Sequence, residues 1–272
     1  MSVKTDFHLH SSFSGDSTAS MESMILQGIA LGLTHMCFTE HNDFDYPPYM
    51  DITADTFTLN ADAYLYDLLK YREKYKDRIR ILFGAELGLQ PHLARANAVF
   101  AKSHDYDFII GSSHVCNGKD PYYPAFYEGR SEEEAYCEYF RSIIDNIKKF
   151  TNFDVYGHLD YVVRYGPNKD TKYSYAKYQD LLDAILILLI ENGKGIEINT
   201  GGVVKGLREL HPCTAVIKRY HELGGEIITI GSDAHGPDAI AAYFHRAEDV
   251  LKECGFRYYT IFEKRIPEFK KL

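Results

Sequence analysis

The chain has 272 residues, 45% of them hydrophobic, which is enough for one large α/β domain with a buried core and excludes a disordered chain. Its formal net charge of −9 argues against a partner gripped through nucleic-acid phosphates, and no apolar run reaches the roughly 18 residues of a membrane span. The five cysteines, Cys37, Cys116, Cys137, Cys213 and Cys254, have no CxxC spacing. With no signal-peptide pattern ahead of the first strand, they read as reduced thiols of a cytoplasmic protein.

In chain order, Val3 to His10 reads as a first strand, and Ser11 to Asp16 as a turn. Met21 to Leu31 has helical periodicity and stops at Gly32. Thr34 to Thr39 is a second strand, and Asn60 caps a helix to about Lys76. Arg78 to Phe83 is a third strand, with Pro91 opening a helix to about Ser103. Tyr106 to Ile110 is a fourth, and Ser131-x-x-Glu134 is a capping box for a helix to about Phe150. Phe153 to Tyr156 is a fifth strand, followed by an apolar helix from Tyr175 to Glu191. Gly195 to Ile198 is a sixth, with a helix from Thr214 to Leu223. Glu226 to Ile230 is a seventh, with a last helix from about Pro237 to Cys254 and one further strand in the tail after Phe256. Alternating strands and helices without a linker predict a single domain over 1–272 with a parallel sheet. At this length a closed barrel is favoured over an open doubly wound sheet.

Polar residues gather where the strands end: His8 and His10, His41, Glu86, His114, His158, Glu197 with Asn199, and Asp233 with His235. In a parallel barrel these ends share one face, which holds the active site. His8 and His10, two apart on a strand, point the same way. Six histidines with Glu86, Asp233 and Asp16 are nine imidazole and carboxylate ligands without a thiolate. That is too many for one divalent ion and enough for two or three if a carboxylate bridges. Clustered divalent ions suit hydrolysis at phosphorus. His35, His92, His104, His211, His221 and His245 fall elsewhere and read as packing or surface residues. Gly201-Gly202 permits close backbone approach, and no phosphate loop of the Walker type is present.

The run HLHSSFSGD, then TEH, GAE, SSH, GHLD and SDAH, in that order across the chain, resembles the PHP superfamily of polymerase-associated and histidinol-phosphatase domains. Within it, the opening run and GHLDYVVRYG are most similar to the stand-alone histidinol-phosphate phosphatases of histidine biosynthesis. The resemblance implies a distorted (β/α)7 barrel of the PHP/TIM-like kind, with the active site at the C-terminal ends of the strands. It implies three divalent metal ions, manganese, iron or zinc. His8, His10, Glu86 and Asp233 would hold the first, Glu86 with His114 and His158 the second, and Asp16, His41 and His235 the third. Some members place a histidine where Asp16 stands.

The expected function is a metal-dependent phosphomonoesterase acting on L-histidinol phosphate, with a metal-bridging hydroxide as nucleophile. Glu86, Asp233, His235 and Arg164 are the candidate catalytic residues. Arg164 and Lys205 are the candidate phosphate contacts, Arg208 a weaker one, since a guanidinium forks onto phosphate oxygens. A solvated loop arginine is the competing reading of Arg164. Asp160 is expected to orient His158, and Glu197 and Asn199 to support ligands or the fold. Asp43, Asp45, Asp120 and Glu128 are acidic rim residues that would favour a cationic substrate, or ordinary loop charges. The alternatives are a PHP-type phosphoesterase or nuclease acting on another phosphate ester, an amidohydrolase-like metal hydrolase, and a non-catalytic barrel. The expected partner is a small phosphate monoester, with no nucleic acid and no membrane; the oligomeric state stays open.

Overall fold

The structure is a computed structural model that describes residues 3–50 and 52–272. Seven parallel strands run in sequential order: β1 (Thr5–Leu9), β2 (His35–Asn42), β3 (Arg80–Gly88), β4 (Phe108–Ser112), β5 (Val155–Tyr156), β6 (Gly195–Asn199) and β7 (Ile228–Gly231). Their residues are almost all buried, as strands packed on both faces require. Beyond the end of β7, Leu9 bridges Ala234 in parallel register. The Asp233 N–H donates to the His8 carbonyl at 2.9 Å, and the His10 N–H donates to the Ala234 carbonyl at 2.9 Å. The sheet is therefore a nearly closed barrel, fastened beside the first histidine pair.

Closure at this point depends on Gly231. A Cβ there would lie 2.3 Å from the His8 Cβ and 2.4 Å from Glu197 Oε1. The register of β1 on β2 slips between Asp6 and Leu9, leaving one extra residue in β1 next to His8. Such bulges re-aim side chains beside active sites.

Helices α1 (Met21–Ala30), α2 (Ala61–Tyr75), α3 (Ala94–Phe100) and α4 (Glu132–Lys149) follow the first four strands. The short α5 (Val162–Tyr165) and then α6 (Gln179–Glu191) follow β5, α7 (Gly201–Val204) and α8 (Thr214–Glu222) follow β6, and α9 (Phe244–Glu253) follows β7. Local chemistry sets several boundaries. Asn60 caps α2 by accepting from the Ala63 N–H, Ser131 and Glu134 form the capping box of α4, and Gly32 ends α1 with φ +74°.

Two expectations fail at the C-terminal end. The predicted helix from Pro237 to Cys254 is broken. Ala241 and Tyr243 adopt left-handed φ of 53° and 59°, and the Ala241 N–H donates to the Asp6 carboxylate at 3.1 Å, so α9 starts only at Phe244. The tail forms two antiparallel strands rather than one, β8 (Tyr258–Glu263) and β9 (Ile266–Lys271), joined by Lys264 and Arg265 at positive φ. This hairpin crosses the N-terminal ends of the strands. Phe262 stacks on Phe108, Arg265 Nε donates to Asp154, and Thr260 Oγ1 accepts from the Ile228 N–H. It plugs the end of the barrel opposite the histidines. The five cysteines are unpaired, and no helix among the described residues is long and apolar enough to cross a membrane.

Candidate metal centre

All nine residues singled out from the sequence converge at the C-terminal end of the barrel. Glu86 is at the middle, fully buried on β3. Its Oε2 faces His41 Nδ1 at 3.0 Å, His8 Nε2 at 3.1 Å and His10 Nε2 at 3.5 Å. Its Oε1 faces His158 Nε2 at 2.9 Å and His114 Nε2 at 3.2 Å. Asp233, with a left-handed φ of 56°, lies 3.7 Å from His8 Nε2 and 3.6 Å from His10 Nε2. Asp16 Oδ2 sits at the open side, 3.1 Å from His235 Nε2 and 3.6 Å from His41 Nε2.

Four overlapping sets bring their ligand atoms within 4.8 Å of one another: His8, His10 and Asp233; His8, Glu86 and His158; His41, Glu86 and His114; and His10, His41 and His235. Five buried atoms at this centre, His8 Nε2, His10 Nε2, His41 Nδ1, His235 Nε2 and Glu86 Oε2, make no hydrogen bond. Buried polar atoms left this way are rare in folded proteins unless an ion satisfies them. Imidazole and carboxylate without sulfur is the donor set of zinc, manganese or iron. The residues present fit a cluster of divalent cations.

The charges are set for the same task. Burial alone would raise the carboxyl pKa of Glu86 and of Asp233. The imidazoles of His8, His114 and His41 hold Glu86 well below the carboxylate range, and His8, His10 and Arg164 do so for Asp233. Burial, with His41 and His235 alongside, pushes His10 well below the usual imidazole value, so its ring is neutral and ready to donate a lone pair.

A second ring of residues fixes the ligands. Glu197 accepts from His8 Nδ1 at 2.6 Å through Oε1, and from the His158 N–H at 3.0 Å and Asn199 Nδ2 at 3.1 Å through Oε2. His10 Nδ1 lies 3.0 Å from Ser14 Oγ, which donates to Glu40. Asp43 accepts from His114 Nδ1 at 2.7 Å. Asp6, its carboxyl pKa pushed up to about 6 by burial, takes the N–H groups of Ser232 and Ala241 and so holds the segment bearing Asp233 and His235. Carboxylates behind metal-binding histidines set the tautomer and ring orientation. Replacing Glu197 with Gln puts an amide NH2 among three donors, with one oxygen left to accept. Metal affinity, read by titration into the apo-protein, is expected to fall about 10- to 100-fold.

Several expectations are corrected here. Asp160 does not orient His158; its Oδ1 lies 2.5 Å from His211 Nδ1, and its Oδ2 accepts from the Cys213 N–H. His211, read as a packing residue, is buried beside Arg164. Gly202 makes room for the His211 ring, which a Cβ would approach to 2.6 Å. Arg208 turns away to Asp170, whereas Asp45, paired with His92 on the surface, and the exposed Glu128 are the ordinary loop charges of the second reading. Asp43 is a buried partner of His114 rather than a rim charge. Arg164 is buried, not a solvated loop residue, and its Nη2 reaches Asp233 Oδ2 at 3.2 Å.

A cavity of about 670 Å³ opens onto the centre. Arg164 and Lys205 line it, as do Asp120 and a wall of Tyr46, Phe57, Tyr122 and Tyr161. A larger groove of about 1420 Å³ lies between the 45–54 segment and α4 and contains none of the nine residues.

Residues 6–201 match the PHP domain family. The chain belongs to the PHP family. This PHP chain is 35% identical over 260 residues to a histidinol-phosphatase of Lactococcus lactis, covering 95% of this chain and 94% of that one. It is 31% identical over 267 residues to a probable histidinol-phosphatase of Clostridium acetobutylicum, covering 97% and 98%. The crystal structure of the Lactococcus lactis histidinol phosphate phosphatase complexed with zinc, L-histidinol and phosphate superposes with a TM-score of 0.87 at 31% identity, covering 97% of this chain and 98% of that one. Membership sets aside the amidohydrolase alternative, and among the described residues the central bridging position is held by Glu86 rather than by a lysine.

Proposed function

We propose that this chain is one PHP domain over residues 1–272 that hydrolyses L-histidinol phosphate to L-histidinol and phosphate, using three divalent metal ions. The observation that carries this reading is the full-length likeness to a phosphatase whose structure holds zinc, L-histidinol and phosphate. Nine candidate ligand side chains gathered at one end of this barrel agree with it.

His8, His10, Asp16, His41, Glu86, His114, His158, Asp233 and His235 would hold the metals, with Glu86 shared between two. Bound there, they would supply Lewis acidity, lowering the pKa of water and drawing charge from the phosphate oxygens. Arg164 turns its guanidinium toward the same space and would fork onto phosphate oxygens that gain charge in the transition state. Lys205, exposed at the mouth, would add a screened attraction. His235, 30% exposed at the rim, would hold its ion through Nε2 while its Nδ1–H donates to the Asp233 carbonyl, which leaves this ring no proton for the departing alcohol. The acidic surface and narrow cup disfavour nucleic acid as the substrate.

Asp120 would select the cationic end of the substrate. It is buried against Tyr46, whose hydroxyl donates to it, and burial pushes its carboxyl pKa up to about 6. Above that pH it presents a negative charge inside an aromatic wall, a setting that favours an ammonium group. Exchanging Asp120 for Asn is expected to raise KM for histidinol phosphate about 10-fold, the order of one charge-assisted contact, with kcat little changed. In the wild type KM should fall as pH rises through about 6, because Asp120 gains its charge; the difference from the Asn variant isolates that limb.

The test of the whole reading is turnover of a panel of phosphate monoesters and single-stranded DNA by metal-loaded protein. Histidinol phosphate should give the highest kcat/KM. A nucleotide or DNA preferred over it would overturn the assignment.

A further inference from the structure

Leading away from the ligand Asp233, the structure holds a buried chain of polar groups that metal binding does not explain. Asp160 Oδ1 lies 2.5 Å from His211 Nδ1, His211 Nε2 is 3.4 Å from Arg164 Nε, and Arg164 Nη2 is 3.2 Å from Asp233 Oδ2. All four side chains are buried, and Arg164 also lies over the Tyr161 ring, 5.5 Å from its centroid. Asp160 comes from the turn after β5, His211 from the segment between α7 and α8, and Arg164 from α5. The contact therefore ties two of the loops above the barrel together.

We propose that His211 is a positioning residue for phosphate binding, acting through Arg164 and set by Asp160. The direction of each hydrogen bond follows from the donors available. A guanidinium has no acceptor, so His211 Nε2 must offer its lone pair to Arg164 Nε–H. The proton of the neutral ring is then on Nδ1, where Asp160 accepts it. Asp160 is held in turn by the Cys213 N–H at 3.0 Å through its other oxygen. With Nε held by His211 and Nη2 by Asp233, rotation of the guanidinium about its stem is restrained. Nη2 meets Asp233, Tyr165 is a further side-chain partner, and the guanidinium lines the cavity. The backbone keeps room for this. His211 pairs with Asn199 at the end of β6, and Gly202 is the residue whose Cβ would strike the His211 ring. The close approach permitted by the glycine pair thus serves the histidine that aims the arginine.

An arginine held in one orientation loses less side-chain entropy on binding phosphate than one free to rotate. The inference rests on Arg164 meeting phosphate in the proposed reaction. Its test therefore uses inorganic phosphate binding as well as turnover, so that a wrong substrate assignment and a wrong positioning role give different results.

The variants are His211→Phe, His211→Gln, which restores an acceptor near the Nε2 position, and Arg164→Met with and without His211→Phe. Because Phe leaves the Asp160 carboxylate short of a partner, Asp160→Leu combined with His211→Phe removes both polar partners together. Metal content and melting temperature are measured for each, then phosphate affinity by calorimetry and kcat/KM for histidinol phosphate. The expected result is a loss of about 10- to 100-fold in phosphate affinity and in kcat/KM for His211→Phe at unchanged metal content. His211→Gln should recover part of it. In the Arg164→Met background His211→Phe should cost less than about twofold more, since the two residues act as one unit. Failure of histidinol phosphate to turn over while phosphate binding follows this pattern overturns the substrate and keeps the positioning role. An equal loss from His211→Phe in both arginine backgrounds, or wild-type phosphate affinity in His211→Phe, overturns the positioning role.

Discussion

Exchanging Glu86 for Gln is expected to lower kcat by about 1000-fold or more, by analogy with the loss from removing one pre-organised charge-stabilising group, and to strip metal from the site. The two side chains have the same shape. Ser112 Oγ donates to Glu86 Oε1 at 2.6 Å, and a Gln oxygen placed there would keep that bond. The fold therefore has no reason to change. What changes is the other atom. Glu86 Oε2 faces the nitrogens of His8, His41 and His10 between 3.0 and 3.5 Å. An NH2 in its place brings protons where ligand lone pairs and cations must meet, and removes the negative charge that five imidazoles surround. Among the described residues, Glu86 is the carboxylate grouped with the Nε2 atoms of both His8 and His158. Metal content by elemental analysis should fall with activity, while circular dichroism stays that of the wild type. A Gln variant with full metal content and wild-type turnover would remove Glu86 from the centre of the mechanism.

Much of this was readable in the sequence, and the reason is local. A short apolar run ending in a histidine or a carboxylate marks a barrel strand whose last inward-facing side chain is a ligand. That pattern repeats from His8 to Asp233. The same polarity hid where the strands stop. β2 continues through Asn42 and β3 through Gly88, several residues past the apolar runs, because the ligands His41 and Glu86 lie within the ladder and pair with each other in register. Polar residues there resemble a loop in sequence and a barrel lining in three dimensions.

The partner of each supporting residue was not readable, because it depends on which loops meet above the barrel. Asp160 is two residues from His158 and turns instead to His211, 51 residues on. Asp43 is two residues from His41 and fixes His114. The break before α9 has the same origin. Pro237 to Cys254 reads as one helix by its own pattern, but Asp6 on β1 captures the Ala241 N–H and prevents it.

Removing the metals is expected to abolish turnover and to lower the melting temperature by roughly 10 °C. Without cations, the centre keeps buried atoms with no hydrogen bond, at His8 Nε2, His10 Nε2, His41 Nδ1, His235 Nε2 and Glu86 Oε2. These belong to β1 and the residue after it, β2, β3 and the segment after β7, so the ions would cross-link the two edges where the barrel closes. Among the described residues, closure there otherwise rests on the Leu9–Ala234 bridge with its two backbone hydrogen bonds and on the hold of Asp6 on the Ser232 and Ala241 N–H groups. A ligand that binds only the folded state stabilises it by about 4 kcal/mol when present at 1000 times its Kd. For a chain of this size each kcal/mol moves the melting temperature by about 2–4 °C, which gives the expected shift. The loss should be local before it is global. Hydrogen exchange should quicken first at the amides of His10 and Asp233, while the plug formed by β8 and β9 at the far end keeps its protection. Dialysis against a chelator, then zinc or manganese added back, followed by calorimetry and the phosphatase assay, makes the measurement. Restored activity with restored melting temperature is the expected result. Apo-protein that turns over substrate, or melts where the loaded protein does, would show that the nine side chains neither hold the barrel shut through metal nor depend on metal for the reaction.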